Sequence, residues 1–373
     1  VAAKKAKAKG FARIARGAGI AVGGVVGAAG ALNAIRVASE KFAVDRVRRA
    51  DDPFADEHFG ELKADRDYTV VATDGVPIYV EEVGSPDASL VIVFAHGYTL
   101  NMGSFHFQRQ ALRKLRSPSV RMVFYDQRSH GKSGRSRADD CTIDQLGRDL
   151  REIIRTAAGD RPVILIGHSM GGMTVMGLAD IEGELFGDQV LGVALLSTSA
   201  GNVVSTLRAG RMPKSLVERA LPLLAKGAQA APKALESARG GVSNAMWLLI
   251  RRFSFGSAGA PASLADYVDR MIAATPVDVV ADFYRTLAGH DKVAALPALR
   301  NCEVLVMCGD EDRITPMEHS ELLARELPEA ELFVVPGAGH MAMMEKHELV
   351  DLRLQAFIHR AYKRSRPQAK KRA

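Results

Sequence analysis

The sequence is poor in cysteine and tryptophan, with three and one in 373 residues. Cys141, Cys302 and Cys308 are odd in number and lack metal-ligand spacing, which excludes a disulfide framework and leaves no case for a zinc site. They read as core or near-core thiols. Acidic residues are missing from both termini: residues 1–16 carry six Lys or Arg, residues 363–373 carry six more, and neither segment holds an Asp or Glu. Taking those twelve from the net charge of +7 leaves a body of −5. A nucleic-acid binder needs a basic folded face or a recognition motif; neither is present, and nucleic acid is excluded as a partner. A phosphate-cradling loop is missing too, because Gly131-Lys132-Ser133 is not preceded by the glycine spacing of a P-loop.

One segment lacks charge altogether. Residues 17–35, GAGIAVGGVVGAAGALNAI, run for nineteen residues without Asp, Glu, Lys or Arg. At about 1.5 Å per residue, a helix of this length just reaches across a hydrocarbon layer of about 30 Å. Its six glycines make it a weak and only marginally hydrophobic helix. Three readings compete: a membrane segment, a signal peptide with AGA at 29–31 as its cleavage site, and a flexible leader. Span length and basic flanks favour membrane association. Basic residues lie on both sides, so a shallow attachment at the cytoplasmic face is expected, which also keeps the thiols in a reducing compartment. Residues 36–62 are charged and amphipathic and are expected to form a helical stalk.

From residue 63 apolar runs alternate with amphipathic ones. YTVVA and VPIYVEEV flank Thr-Asp-Gly as a hairpin. SLVIVFAHG, RMVFYD, PVILIGHS, QVLGVALLSTS, CEVLVMCGDED and AELFVVPGAGH read as buried strands, with helical runs such as TIDQLGRDLREIIRTAAG and MGGMTVMGLADI between them. This predicts a mostly parallel sheet covered by helices on both faces, in the α/β class. Residues 201–300 break the scheme, holding helical stretches and no convincing strand. They are too long for a loop and are expected to form a helical lid above the carboxyl ends of the strands. The organisation is then a leader and stalk (1–62), a core in two parts (63–200 and 301–362) around the lid, and a basic tail (363–373).

LIGHSMGGM, residues 165–173, places one serine between a strand and a helix in the pattern G-x-S-x-G. That context gives the motif its mechanical meaning: a strained turn lifts the hydroxyl of Ser169 clear of the sheet, and Gly167 and Gly171 must be small to allow it. The helix that starts at Met170 turns its unpaired N–H groups toward the same spot. A serine hydroxyl needs a base and an orienting acid before it attacks anything. His340 follows the last predicted strand directly and is the candidate base. The loop after the preceding strand offers three carboxylates, Asp310, Glu311 and Asp312.

With HGYT at 96–99, DQRSHGKS at 126–133, GHSMGG at 167–172, GDEDRITP at 309–316 and PGAGH at 336–340 in this order, residues 65–362 resemble the α/β-hydrolase superfamily. The resemblance implies an α/β-hydrolase fold with a helical lid and selects Asp312, four residues before Pro316, as the triad acid. It also implies an oxyanion hole made by the backbone N–H groups of Tyr98 and Met170, and no metal or organic cofactor. His96 and His168 are expected to order their loops, and DQRSHGKS to be a structural turn, with His130 within reach of the cleft. A serine nucleophile implies acyl transfer to water, with carboxylic ester hydrolysis as the expected activity on a small-molecule ester or lipid-like substrate. Met246 and Trp247 in the apolar lid are the expected substrate contacts. Thioesterase or cofactor-free haloperoxidase-like chemistry, and a non-catalytic ligand-binding member of the fold, are the alternatives, the last disfavoured because all three triad residues are retained.

Overall fold

The computed structural model describes residues 37–202 and 243–369. The uncharged stretch 17–35, residues 203–242 of the expected lid and the last four residues of the basic tail lie outside the described residues. Eight strands form one sheet: β1 Arg66–Val71, β2 Pro77–Gly84, β3 Leu90–Ala95, β4 Val120–Tyr125, β5 Val163–His168, β6 Val190–Leu196, β7 Glu303–Gly309 and β8 Glu331–Val335, in the order β1-β2-β4-β3-β5-β6-β7-β8. The hairpin β1–β2 and the pair β2–β4 are antiparallel, and every other pair is parallel. The sheet is therefore the mostly parallel one expected, with an antiparallel margin.

Why the inner strands need two helical layers is visible in their side chains. Successive residues point to opposite faces, and both sets are apolar. Val91, Val93, Val163, Leu165, Val193, Leu195, Val304 and Val306 share one buried cluster. Their even- and odd-numbered neighbours Ile92, Phe94, Ile164, Ile166, Ala194, Leu196, Leu305 and Met307 share the other. Helices α3 (Ile143–Ala158) and α4 (Met170–Ile181) cover the first face, α3 through Leu150, Ile153 and Ile154. Helix α2 (His106–Leu112) and the last helix (His347–Ala369) cover the second, the latter through Val350, Leu354, Phe357 and Ile358. Each such side chain contributes roughly 1.5–3 kcal/mol by leaving water. Helix α3 starts where the sequence allows it: Thr142 Oγ1 accepts from Gln145 N at 3.1 Å, satisfying an N–H that the first turn leaves free.

Between β6 and β7 the described residues include α5 (Ser243–Ser254), α6 (Ala262–Ala274) and α7 (Val277–Ala288). Their contacts set them over the carboxyl ends of the strands. The Tyr98 hydroxyl, after β3, donates to Val280 O of α7; Arg313 Nη1, after β7, donates to Arg252 O of α5 at 2.7 Å; Met341 N, after β8, donates to Ser254 O at 2.8 Å.

The segment read as a stalk is helical only over residues 37–48, helix α1, and then wraps the domain through turns. Val44 packs with Trp247, Ala262 and Ala265, and Asp52 accepts from Ser263 N and Ser263 Oγ at 2.8 Å each, capping the start of α6. Phe59 stacks on Tyr267 with ring centroids 4.8 Å apart. Apolar side chains on one face of this segment are thus covered by α5 and α6. Among the described residues, no helix is long and apolar enough to cross a membrane.

Candidate active site

Strand β5 ends at His168 and α4 begins at Met170, which leaves Ser169 alone on the corner with φ 52° and ψ −117°. Such a backbone is strained for any residue but glycine and persists only where its surroundings impose it. Here Ser169 N donates to Leu196 O at 2.9 Å, and Thr198 Oγ1 donates to Ser169 O at 2.7 Å. The flanking glycines leave the room the turn requires: a Cβ on Gly171 would overlap Ala95 O, and one on Gly167 would overlap the backbone of Gly171.

Asp312 and His340, 28 residues apart in sequence, meet at the ends of β7 and β8, with His340 Nδ1 2.9 Å from Asp312 Oδ2. The carboxylate is held by three further donors: Ile314 N at 2.8 Å, and Thr315 N and Thr315 Oγ1 at 2.9 Å each. Burial pushes the Asp312 carboxyl up, yet the adjoining His340 and these hydrogen bonds outweigh it and hold the group below the ordinary carboxylate range. An ionised acid at Oδ2 fixes the proton of His340 on Nδ1 and leaves Nε2 its lone pair. His340 lies beside the serine corner: His168 Nε2 donates to His340 O at 3.0 Å, and the two rings are 4.9 Å apart. Among the described residues, Ser169 Oγ makes no hydrogen bond to His340. The other two carboxylates of the acid loop go elsewhere. Asp310 Oδ1 accepts from Gly337 N at 2.7 Å, and Glu311 Oε1 accepts from Ser257 Oγ at 2.8 Å.

Tyr98 follows β3 and packs against the cluster that holds Met170. Its N–H and that of Met170 have no acceptor among the described residues. Burial pushes the Tyr98 phenol well up, so its hydroxyl keeps the proton it donates to Val280 O. His96 and His130 are buried and pushed down by that burial to about 3 and about 4, so both rings are neutral. His96 Nδ1 donates to Gly97 O at 2.8 Å and Nε2 accepts from Gln127 N at 2.9 Å. His130 does not open into the cleft; it is closed in by His96, Tyr98 and Phe283.

The expected substrate contacts fare differently. Trp247 is buried under α1, its Nε1 donating to Asp266 Oδ1 at 2.7 Å while Arg48 lies over its ring. The structure therefore gives the indole a place between α1, α5 and α6 and not beside Tyr98 or Met170. The side chain of Met246 lies outside the described residues. Tyr98 and Met170 pack instead with α7, in a buried cluster that includes Val279 and Phe283, with Leu287 against it. Sequence reasoning missed these residues although VDVVADFYRTLA carries helical spacing, because nothing in the spacing says which helix packs against Tyr98 and Met170. It also missed Glu345, whose Oε2 accepts from Gly339 N at 2.8 Å and from Gly256 N at 3.1 Å, tying the histidine loop to the end of α5.

The three cysteines are free and buried. Among the described residues, no group of three or more His, Cys, Asp or Glu is placed to hold a metal ion.

The chain is 27% identical to a proline iminopeptidase of Pestalotiopsis fici over 297 residues, which cover 77% of this chain and 98% of that protein. It is 28% identical to an sn-1-specific diacylglycerol lipase of Mus musculus over 270 residues, 70% of this chain and 78% of that one. Among solved structures, an esterase from Exiguobacterium antarcticum superposes with a TM-score of 0.63 at 22% identity, covering 79% of this chain and 100% of the other, a likeness that speaks for the fold. The sequence profile of the alpha/beta hydrolase fold matches residues 91–347, from β3 to the start of the last helix. With that match over most of its length and with the sheet order, the serine corner and the acid and histidine loops described above, the chain belongs to the alpha/beta hydrolase fold family.

Proposed function

We propose that the protein is a serine hydrolase that cleaves carboxylic esters through an acyl-serine intermediate. The observation that carries this reading is the ionised, fourfold hydrogen-bonded Asp312 fixing the tautomer of His340 beside the strained corner of Ser169. As Ser169 Oγ attacks the substrate carbonyl, its proton passes to His340 Nε2, and Asp312 stabilises the imidazolium without taking the proton. The negative charge that forms on the carbonyl oxygen falls to the N–H groups of Tyr98 and Met170, each of which is typically worth about 3 kcal/mol of barrier in this role. His340 returns the proton to the leaving alcohol. A water molecule, deprotonated by the same nitrogen, then releases the acid and regenerates the serine. Serine–histidine hydrogen bonds commonly tighten only with substrate in place, consistent with the open pair seen here.

Helices α5–α7 act as the lid, and Tyr98 and Leu287, both partly buried, pack on the buried Val279 and Phe283 of α7, which makes the surroundings of the oxyanion donors apolar. This favours an acyl chain as the substrate group. Similar proteins include both a peptidase and a lipase, and the ester reading takes the second as its guide. A fluorophosphonate probe should label Ser169 and nothing else, and the Ser169→Ala variant should be unlabelled and inactive on p-nitrophenyl esters. Labelling that persists in that variant refutes the assignment.

A further inference from the structure

We propose that His130 is a positioning residue that holds the oxyanion loop, through a single hydrogen bond from Thr99 N–H to its Nε2 lone pair, in the form that aims Tyr98 N–H at the substrate. The proposal rests on the serine hydrolase reading and adds to it a residue that touches neither substrate nor reacting atoms.

Thr99 has φ 60°, a β-branched residue in the left-handed region, where it does not stay without outside restraint. Three groups restrain it. Thr99 N donates to His130 Nε2 at 3.2 Å, Thr99 O accepts from Thr275 Oγ1 at 3.1 Å, and Thr99 Oγ1 donates to Tyr98 O at 2.6 Å. The second comes from the end of α6 and the third from within the loop; among the described residues, only the first ties Thr99 to the turn after β4. The peptide between Tyr98 and Thr99 includes both Thr99 N and Tyr98 O, and Tyr98 N–H lies one peptide earlier in the same loop, so holding Thr99 limits the backbone rotation left to Tyr98.

His130 is suited to this task because its own geometry has little freedom. Nδ1 donates to Arg128 O at 2.9 Å, which assigns the ring proton to Nδ1 and the lone pair to Nε2. Arg128, whose carbonyl sets that tautomer, is gripped by two carboxylates: Nε and Nη2 meet Asp149 at 2.6 and 2.7 Å, and Nη1 and Nη2 meet Asp74 at 2.7 and 3.1 Å. Bidentate pairs on both sides of a guanidinium fix its plane and its backbone. The path therefore runs from the buried ion cluster through the Arg128 carbonyl and the His130 ring to the Thr99 amide. Burial keeps the ring neutral, so the lone pair is available throughout the working range of pH.

The test uses the full chain with His130→Leu, His130→Asn and His130→Gln. Leucine removes the acceptor, asparagine keeps polarity but is one bond too short to reach Thr99, and glutamine Oε1 stands as many bonds from the backbone as Nε2. Two readouts are taken on each folded variant: amide hydrogen exchange of the peptide spanning residues 98–104, and kcat and KM on a p-nitrophenyl ester. Leucine and asparagine should speed exchange at Thr99 at least about tenfold and lower kcat about 10- to 100-fold with KM within about threefold, a partial loss of one oxyanion donor. Glutamine should recover most of both. Exchange at Thr99 unchanged by leucine and asparagine overturns the proposal, as does faster exchange with kcat unaltered, since the bond then has no part in catalysis. A merely structural residue would lower the melting temperature and leave kcat of the folded enzyme alone. Failure of the wild-type chain to react with fluorophosphonate or to hydrolyse any ester overturns the serine hydrolase reading and this catalytic role with it, while the exchange data still decide whether His130 holds Thr99.

Discussion

Replacing Asp312 by asparagine separates the proposed triad from a chance meeting of a carboxylate and an imidazole. The carboxylate accepts four hydrogen bonds, two at Oδ1 from Ile314 N and Thr315 N and two at Oδ2 from Thr315 Oγ1 and His340 Nδ1. In the asparagine variant the two backbone donors keep the carbonyl oxygen at the Oδ1 position, which puts the NH₂ group where Oδ2 was. Thr315 Oγ1 can turn to accept from it, but His340 Nδ1 can face it only by giving up its proton. The imidazole proton then sits on Nε2, and the nitrogen that must take the Ser169 proton has no lone pair. A triad in the wrong tautomer loses on the order of 10⁴ in kcat, about 5 kcal/mol of barrier. Because the backbone bonds survive, the stability cost should be limited to about 1–3 kcal/mol for one mismatched buried pair. Asp310, whose carboxylate accepts from Gly337 N, is the control, and Asp310→Asn should remain within about fivefold of wild type, well short of a lost triad. The assay is initial rate on a short-chain p-nitrophenyl ester, normalised to folded protein by thermal melt. An Asp312→Asn enzyme within about tenfold of wild type, or one no slower than Asp310→Asn, refutes the role given to Asp312.

Two further outcomes follow from the packing. Asp126 is buried, and burial pushes its carboxyl up to about 6 despite the N–H groups of Lys132 and Met102. Its unfolded value is near the ordinary one, so the folded chain binds the extra proton between about pH 4 and 6; this group's contribution therefore makes stability fall as pH rises through that window. Chemical denaturation from pH 4 to 7 should show that slope in wild type and its loss in Asp126→Asn; equal slopes rule the assignment out. Removing residues 1–62 takes away Asp52, Phe54 and Phe59 and uncovers Trp247, whereas removing residues 1–36 leaves all of these in place. The shorter chain should melt roughly 5–10 °C lower with a red-shifted emission from its single tryptophan, and the longer one should do neither. Matching spectra for the two truncations would show that α1 does not cover the indole.

Local chemistry was legible from residues 63 to 200 and 301 to 362 because it is carried by near neighbours. The unbroken apolar runs VILIGH and LVIVFA, the turn chemistry of Asp74-Gly75 and the small residues around Ser169 each act over a few positions, and each element they mark is present. What spacing could not decide was anything made by residues far apart. Three carboxylates follow β7, and without the fold only family resemblance distinguished Asp312; in three dimensions it is the direction each side chain leaves the loop that sends Asp312 to His340, Asp310 to Gly337 and Glu311 to Ser257. Trp247 belongs by composition to any apolar lid surface, yet the return of residues 37–59 across α5 and α6 covers it and leaves α7 facing Tyr98 and Met170. His130 reads in sequence as one residue of a turn, and it meets Thr99 only because β3 and β4 are neighbours in the sheet. Apolar periodicity determines which residues leave water and in which local form; the pairing of strands, a matter of long-range packing, determines which polar groups then face one another.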